Sequence, residues 1–450
     1  MSGTEVFMLS FLKKILRSTH TVIILFSAVL VALLFYTFPP LWEMGTDNGN
    51  GVTICLADDI SPTYREVINE FNKEYKGRIY VETINIPFSK FSTNQRKELF
   101  DRFFRTKSSQ VDVFSVDEIW TAKFAKWCDP LGTYFPDSLK ATILPSALKS
   151  CYFDSTLVAM PLFVDVGLMY YRKDLIDKLP NAKVIENELQ HSITWSEFEK
   201  LGMELKRYHD PFYIFQADNY EGLMCSLDEM MAGLGDPLYA RGSFQLQSAG
   251  GEEAVEQMVN LVQKYHLSPP AVTNLRETSS LNYCLKHNGI FLRGWPDIDQ
   301  TLCDSAARSG DGAIWAMAPV PHFDGHQAVS ILGGWDLMIS KYSLHKQAAL
   351  TFIKFLIRKR IQEIMFEKGR YLPSNVNVYK DNGFVKRNPD LKFYMGLLNS
   401  GVHRPSLPDY TRFSDIISYY VKLAISGKLK TDEALAEATE AIKNYDIYRR

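Results

Sequence analysis

Metal-ligand spacing is missing from this chain. Its six cysteines, at 55, 128, 151, 225, 284 and 303, form no C-x-x-C pair and stand at no zinc-type spacing from a histidine. No phosphate-binding loop, H-E-x-x-H helix or nucleophile elbow occurs, so no residue pattern calls for a cofactor. An excess of one charge is missing too: 50 Lys+Arg face 52 Asp+Glu, a formal charge of -2, which leaves no nucleic-acid footprint. Internal repeats and low-complexity tracts are absent. An oxidising compartment would permit disulfides, but pairing cannot be read from spacing, and buried small apolar thiols account for the cysteines equally well.

Long hydrophobic runs are also scarce, with one exception. Thr21 to Phe38, TVIILFSAVLVALLFYTF, is uncharged and follows Lys13, Lys14 and Arg17. Its length nearly matches the ~20 residues a helix needs to cross a bilayer. The basic flank places residues 1–20 in the cytoplasm. The alternative, a cleaved signal peptide, wants a shorter apolar core and a small-residue exit. Here the run closes on Phe35, Tyr36, Phe38, Pro39 and Pro40, and the next cysteine, Cys55, is too distant for lipid attachment. The expectation is a transmembrane signal-anchor at 21–38, a polar tether at 39–51, and a binding domain facing the periplasm or cell exterior.

The remaining residues, close to 400, exceed one hydrophobic core and imply two domains. Val52–Leu56 reads as a buried strand ending at Asp58 and Asp59. Ser61 and Pro62 then start a helix carrying Val67, Ile68, Phe71 and Tyr75 on one face, and Gly77 closes it. A strand at Ile79–Ile86 completes a β-α-β unit. Val111–Val116 is a further strand ending at Asp117 and Glu118. Thr194 with Glu197 forms a capping box; Ser343 and Thr431 precede further helices, and Glu252–Tyr265 carries an apolar stripe. Short β-rich pieces at Gly167–Tyr171, Ala313–Val320 and Leu337–Ser340 alternate with these. The pattern predicts an α/β architecture with mostly parallel sheets.

The chain is rich in rings, with 23 tyrosines, 28 phenylalanines and 7 tryptophans. Two tryptophans stand beside glycines, in SILGGWDLMI (Trp335) and GIFLRGWPDI (Trp295). Glycine lets backbone approach a ligand, and an indole offers a flat face to the C–H side of a pyranose. The carboxylates at strand ends, Asp58, Asp59, Asp117, Glu118 and Asp165, accept from adjacent hydroxyls, while Arg96 and Arg404 donate to two. Each feature also has a structural reading: a glycine turn before a core tryptophan, N-capping by the aspartates, solvated arginines. Together they suit a polyhydroxylated ligand.

Through VTICLADD, QVDVFSVDEIWTAKFAKW at 110–127, PLFVDVGLMYYRKDLI at 161–176, TWSEFEKL at 194–201, SILGGWDLMISKYSLHKQAALTFIKFL at 330–356, EKGRYLPS at 367–374 and TDEALAEA at 431–438, the chain resembles the family 1 extracellular solute-binding proteins. These are carbohydrate receptors of ABC importers, and the likeness is to the maltose- and trehalose-type members across residues 52 to 445. The resemblance implies a two-lobed, type II-like periplasmic-binding-protein fold. Lobe one would be 52–162 with 327–372 and lobe two 165–322 with 376–450, with crossings near 161–166, 321–328 and 371–376. It puts sugar contacts on Asp58 or Asp59, Arg96, Asp117, Phe163, Asp165, Trp295, Gly333, Gly334, Trp335 and Arg404. Phe163 departs from the tyrosine common in relatives, and the lipid-attachment cysteine is absent. The implied partners are a sugar and an ABC permease, with a sensor kinase or chemoreceptor as the alternative. A glycosidase is the enzyme reading, but adjacent carboxylates on a strand point to opposite faces, which disfavours a catalytic pair.

Overall fold

The computed structural model describes residues 51–449 apart from 88–89, 92, 207–210 and 311. The expected anchor at 21–38 and nearly all of the tether lie outside the described residues, and among those residues no helix is long and apolar enough to cross a membrane.

The β-α-β unit forms as expected. Strand β1 (Val52–Asp58) leads into helix α1 (Pro62–Glu74), whose N-cap Ser61 accepts from the Tyr64 amide at 3.1 Å. Tyr75 caps the other end, and Gly77 turns the chain at φ +76°, where a side chain would be strained. Strand β2 (Ile79–Asn85) returns parallel to β1. Helix α2 (Thr93–Arg105) and strand β3 (Val113–Asp117) follow, with β3 parallel to β1 on its other side.

Beyond this the sheets depart from the parallel expectation. Strand β4 (Met160–Val166) and the long strand β9 (Ile331–Ile339) pair antiparallel with each other, and β9 is antiparallel to β3. With β10 (Leu372–Pro373) and β11 (Val402–His403) they complete a seven-stranded mixed sheet in the order β10-β4-β9-β3-β1-β2, β11 pairing with β9. A second sheet has four strands, β8-β5-β7-β6, formed by β5 (Leu168–Arg172), β6 (Tyr213–Ile214), β7 (Phe291–Gly294) and β8 (Trp315–Ala318). Parallel neighbours require a crossover that returns to the same sheet. Strand β9 instead arrives from the second sheet, after β8, so it enters the first sheet from the opposite end.

Only Gly167 separates β4 in one sheet from β5 in the other. Each sheet has its own apolar packing. Ile54, Phe71, Phe100, Phe114, Phe352 and Phe355 are fully buried around the first. Phe198, Phe212, Leu223, Phe291 and Ile417 are fully buried around the second. The helical run after Ser343 is two helices, α4 (Lys346–Leu356) and α5 (Lys359–Gly369), rather than one. The six cysteines are all free thiols, four of them buried.

Phe71 sits where α1 meets α4. Its ring stacks on Tyr75 at 4.4 Å and meets Phe352 and Phe355 edge-on at 4.9 and 5.2 Å. Replacing it with alanine leaves a cavity that three rings cannot fill, so Phe71→Ala is expected to cost about 3–5 kcal/mol in urea denaturation. A loss below about 1 kcal/mol would mean that this helix contact is not part of the cooperative core.

Candidate functional site

Strand register assembles the site. In β9, Trp335 stands opposite Asp117 of β3 on one side and Phe163 of β4 on the other, and Gly333 stands opposite Asp165. The pleat of β4 buries Val164 and Val166 while leaving Phe163 and Asp165 half-buried on the other face. The glycine–glycine–tryptophan segment is therefore central strand and not a turn. Gly334 has φ +150°, and a Cβ there would lie 2.7 Å from the Phe163 carbonyl oxygen. At Gly333 a Cβ would lie 3.3 Å from both the Asp165 side chain and the Trp295 ring. Trp295, which follows β7 in a loop, thus reaches from the second sheet over the bare backbone of the first.

The surfaces so formed enclose a cavity of about 690 Å³. Its walls include Asp58, Asp59, Asp117, Phe163, Asp165, Trp295, Gly333, Gly334, Trp335 and Arg404, that is, every expected site residue except Arg96. Arg96 is fully buried behind the wall. Its Nη2 donates to Asp58 Oδ1 at 2.9 Å, and its guanidinium lies 4.5 Å from the Trp335 ring centre. It therefore backs two wall residues and is not among the residues lining the space. The reason is the helical position: α2 packs Arg96 inward beneath the end of β1.

Trp295 has the same support. Arg293, two residues earlier and within β7, places its guanidinium 4.4 Å from the Trp295 ring centre, and Glu229 accepts from its Nη2 at 2.8 Å. Both partners are almost fully buried, Arg293 at 1% and Glu229 at 6% exposure. Helix α3 (Glu221–Gly233) supplies Glu229. Arg404 links the two sheets' surroundings directly. It donates to Asp117 Oδ1 at 2.8 Å and to Glu221 Oε1, at the start of α3, at 3.1 Å. Tyr410 Oη also donates to Glu221 Oε1, at 2.9 Å.

Asp117 caps the next helical turn by accepting from the Ile119 amide at 3.2 Å, and it pairs with Arg404. Its neighbour Glu118 accepts from His403 at 3.0 Å and lies 3.8 Å from Arg404. Among the described residues no lysine or arginine pairs with Asp165. Burial, then the charges of Asp297, Asp117 and Glu118, push its pKa well above the usual carboxylate range. Such a group meets the cavity either as a hydroxyl donor or as an acceptor that a ligand must neutralise. No group of three or more His, Cys, Asp or Glu suited to a metal ion occurs among the described residues.

The flat indole faces, a ring pair of Phe163 and Tyr371 at 4.7 Å, and acidic edges suit a ligand with apolar faces and a hydroxylated rim. A family model for bacterial extracellular solute-binding proteins matches residues 57–363. The chain belongs to that family. This solute-binding protein is 26% identical over 362 residues to a probable ABC transporter-binding protein of Deinococcus radiodurans, covering 76% of this chain and 82% of that one. It is 21% identical over 373 residues to the mannitol-binding protein of Pseudomonas aeruginosa, 75% of this chain and 80% of that one. Among solved structures, maltose-bound MalE3 of T. maritima superposes with a TM-score of 0.76 at 26% identity, covering 88% of this chain and all of that one. The two-lobed α/β periplasmic-binding-protein fold follows. These relatives are binding proteins by name, none an enzyme.

Several residues of the solute-binding protein's cavity were missed by reading the sequence: Tyr64, Glu221, Glu277, Asp297 and Tyr371 line it. Asp297 and Tyr371 stand within the motifs WPD and GRYLPS, where a signal existed. Glu221 opens a helix with no motif, and only the fold brings it to Arg404.

Behind the floor, burial depresses the His403 pKa, but the attraction of Glu118 and its hydrogen bond outweigh that, and the net shift is upward. A raised folded-state value makes the stabilisation complete below the unfolded value of about 6.5 and lost as pH climbs through the folded value. The wild type should therefore lose melting temperature as pH rises above about 6.5, and His403→Gln should flatten that slope. An unchanged slope would show that the pair contributes nothing there.

Proposed function

We propose that this protein is an extracytoplasmic carbohydrate receptor that captures a mono- or oligosaccharide and delivers it to an ABC importer by hinge closure. The observation that carries the reading is the pair of indoles: Trp335 in the first sheet and Trp295 beyond the second line one cavity whose charged residues are mostly carboxylates. The sugar and polyol ligands named for its relatives agree with it, and none of those named above is a sensor. In this reading Asp58, Asp59, Asp117, Asp165 and Arg404 hold hydroxyl groups, Trp295, Trp335 and Phe163 stack on sugar faces, and Gly333 and Gly334 let the ligand approach the backbone. Arg96 acts through Asp58 and Trp335.

The lobes would be 52–162 with 327–403 and 165–322 with 404–450, passing from one to the other near 161–166 and 321–328; the third passage lies beyond His403 and not near 371–376, because β11 (Val402–His403) pairs with β9 in the first sheet. Gly167 between two sheets, and β9 arriving from the second, support the first two passages. A ligand that touches both lobes only in the closed state shifts the population by its differential affinity. Periplasmic binding proteins as a class are a standard example of such hinge closure around a ligand. Residues 21–38 would anchor the receptor in the cytoplasmic membrane, holding it near its permease and raising its effective concentration there.

A sugar and polyol panel, including maltose and mannitol, tests the reading by thermal shift of the chain from Gly51 onward. A ligand for the native state raises the melting temperature with the logarithm of its concentration. Trp295→Ala and Trp335→Ala should each remove about 2 kcal/mol or more of binding energy, enough to abolish the shift at modest concentration. Retention of the shift by both variants, or chemical turnover of the sugar, would refute the receptor reading.

A further inference from the structure

Two passages between the sheets converge on one carboxylate. Gly167 lies alone between β4 and β5, and its amide donates to the Ile331 carbonyl at 2.9 Å, where β9 begins after arriving from the second sheet. The Ile331 amide in turn donates to Glu229 Oε1 at 3.3 Å. The packing is closed: a Cβ on Gly167 would fall 1.8 Å from Glu229 Oε1 and 2.8 Å from Arg293 Nη2. The same Glu229 oxygen accepts from Arg293 Nη2 at 2.8 Å, and that guanidinium underlies Trp295.

We propose that Arg293 and Glu229 are positioning residues that set the plane of Trp295 and tie it to the strand passages at Gly167 and Ile331. Rotation at those passages and tilt of the indole are then one mechanical event. A guanidinium is planar and stacks face to face on an indole, unlike an ammonium. Neutralisation by Glu229 makes its burial tolerable, and the carboxylate's hydrogen bond from the Ile331 amide transmits position to backbone. Glycine is required at 167 because the pair occupies the volume that any Cβ would fill. The functional consequence rests on the receptor reading of the cavity, since Trp295 matters to a ligand only if the cavity holds one. The mechanical claim does not.

The test uses the full chain in detergent, labelled with fluorotryptophan, with the Trp295 resonance assigned from Trp295→Phe. Amide hydrogen exchange follows peptides containing Gly167 and Ile331. The double variant Arg293→Met/Glu229→Met removes both charges together, so no lone buried ion remains to unfold the chain. It is expected to shift or broaden the Trp295 resonance and to raise exchange at both amides about tenfold. Arg293→Lys keeps the ion pair and should restore amide protection without restoring the Trp295 line. An unaltered Trp295 resonance in the double variant overturns the proposal, and so does an altered resonance with unaltered exchange, because the platform would then be untied from the passages. Should the double variant fail to fold, Arg293→Lys decides the matter: a wild-type Trp295 line in it overturns the proposal. None of these measurements needs a ligand, so they fail separately from the sugar panel.

Discussion

Two arginines, each buried beneath an indole and each neutralised by a buried carboxylate, are the constraint on which this cavity depends. Arg96 with Asp58 supports Trp335, and Arg293 with Glu229 supports Trp295. An uncompensated buried charge would cost several kcal/mol, and the carboxylates remove that cost. With the charge balanced, a guanidinium on one face of an indole contributes about 0.5–2 kcal/mol and holds the ring plane. Both indoles line the cavity. A tryptophan otherwise able to change rotamer becomes a fixed wall.

The two walls belong to different sheets, so their spacing is decided by how the chain passes between them. The passage through Gly167 is a single residue long, and β9 is a central strand of the first sheet although the chain reaches it from the second. Short strand passages of this kind let two rigid bodies rotate while their internal hydrogen bonds persist. Arg404 adds a polar tie, since it bonds Asp117 on the first sheet and Glu221 on α3 at once. In a ligand-gated hinge such a tie sets how much differential affinity the ligand must supply.

The cavity is acidic, and its carboxylates are not equivalent. Asp58 and Asp117 have arginine partners, whereas Asp165 faces other carboxylates and its pKa is raised by burial and by their charge. Hydroxyl groups are suited to such a mixture, because a hydroxyl can both donate and accept. Glu118, just beyond the end of β3, pairs with His403 and lies 3.8 Å from Arg404.

Local chemistry determined much of this protein by itself. Apolar periodicity, Ser61 before Pro62, and Gly77 define the opening β-α-β unit, because capping and turn formation involve residues a few positions apart. The indoles beside glycines and the aspartates at strand ends were visible for the same reason. Residue type told that Arg96 could pair with a carboxylate, but not that α2 would turn it away from the cavity. Nor did the periodicity show that β9 runs antiparallel, that Glu221 meets Arg404 across 183 positions, or that Glu229 meets Arg293 across 64. Those contacts depend on strand register and on how two sheets are joined. They are long-range choices among packings that any local stretch satisfies equally well, so only the folded chain decides them.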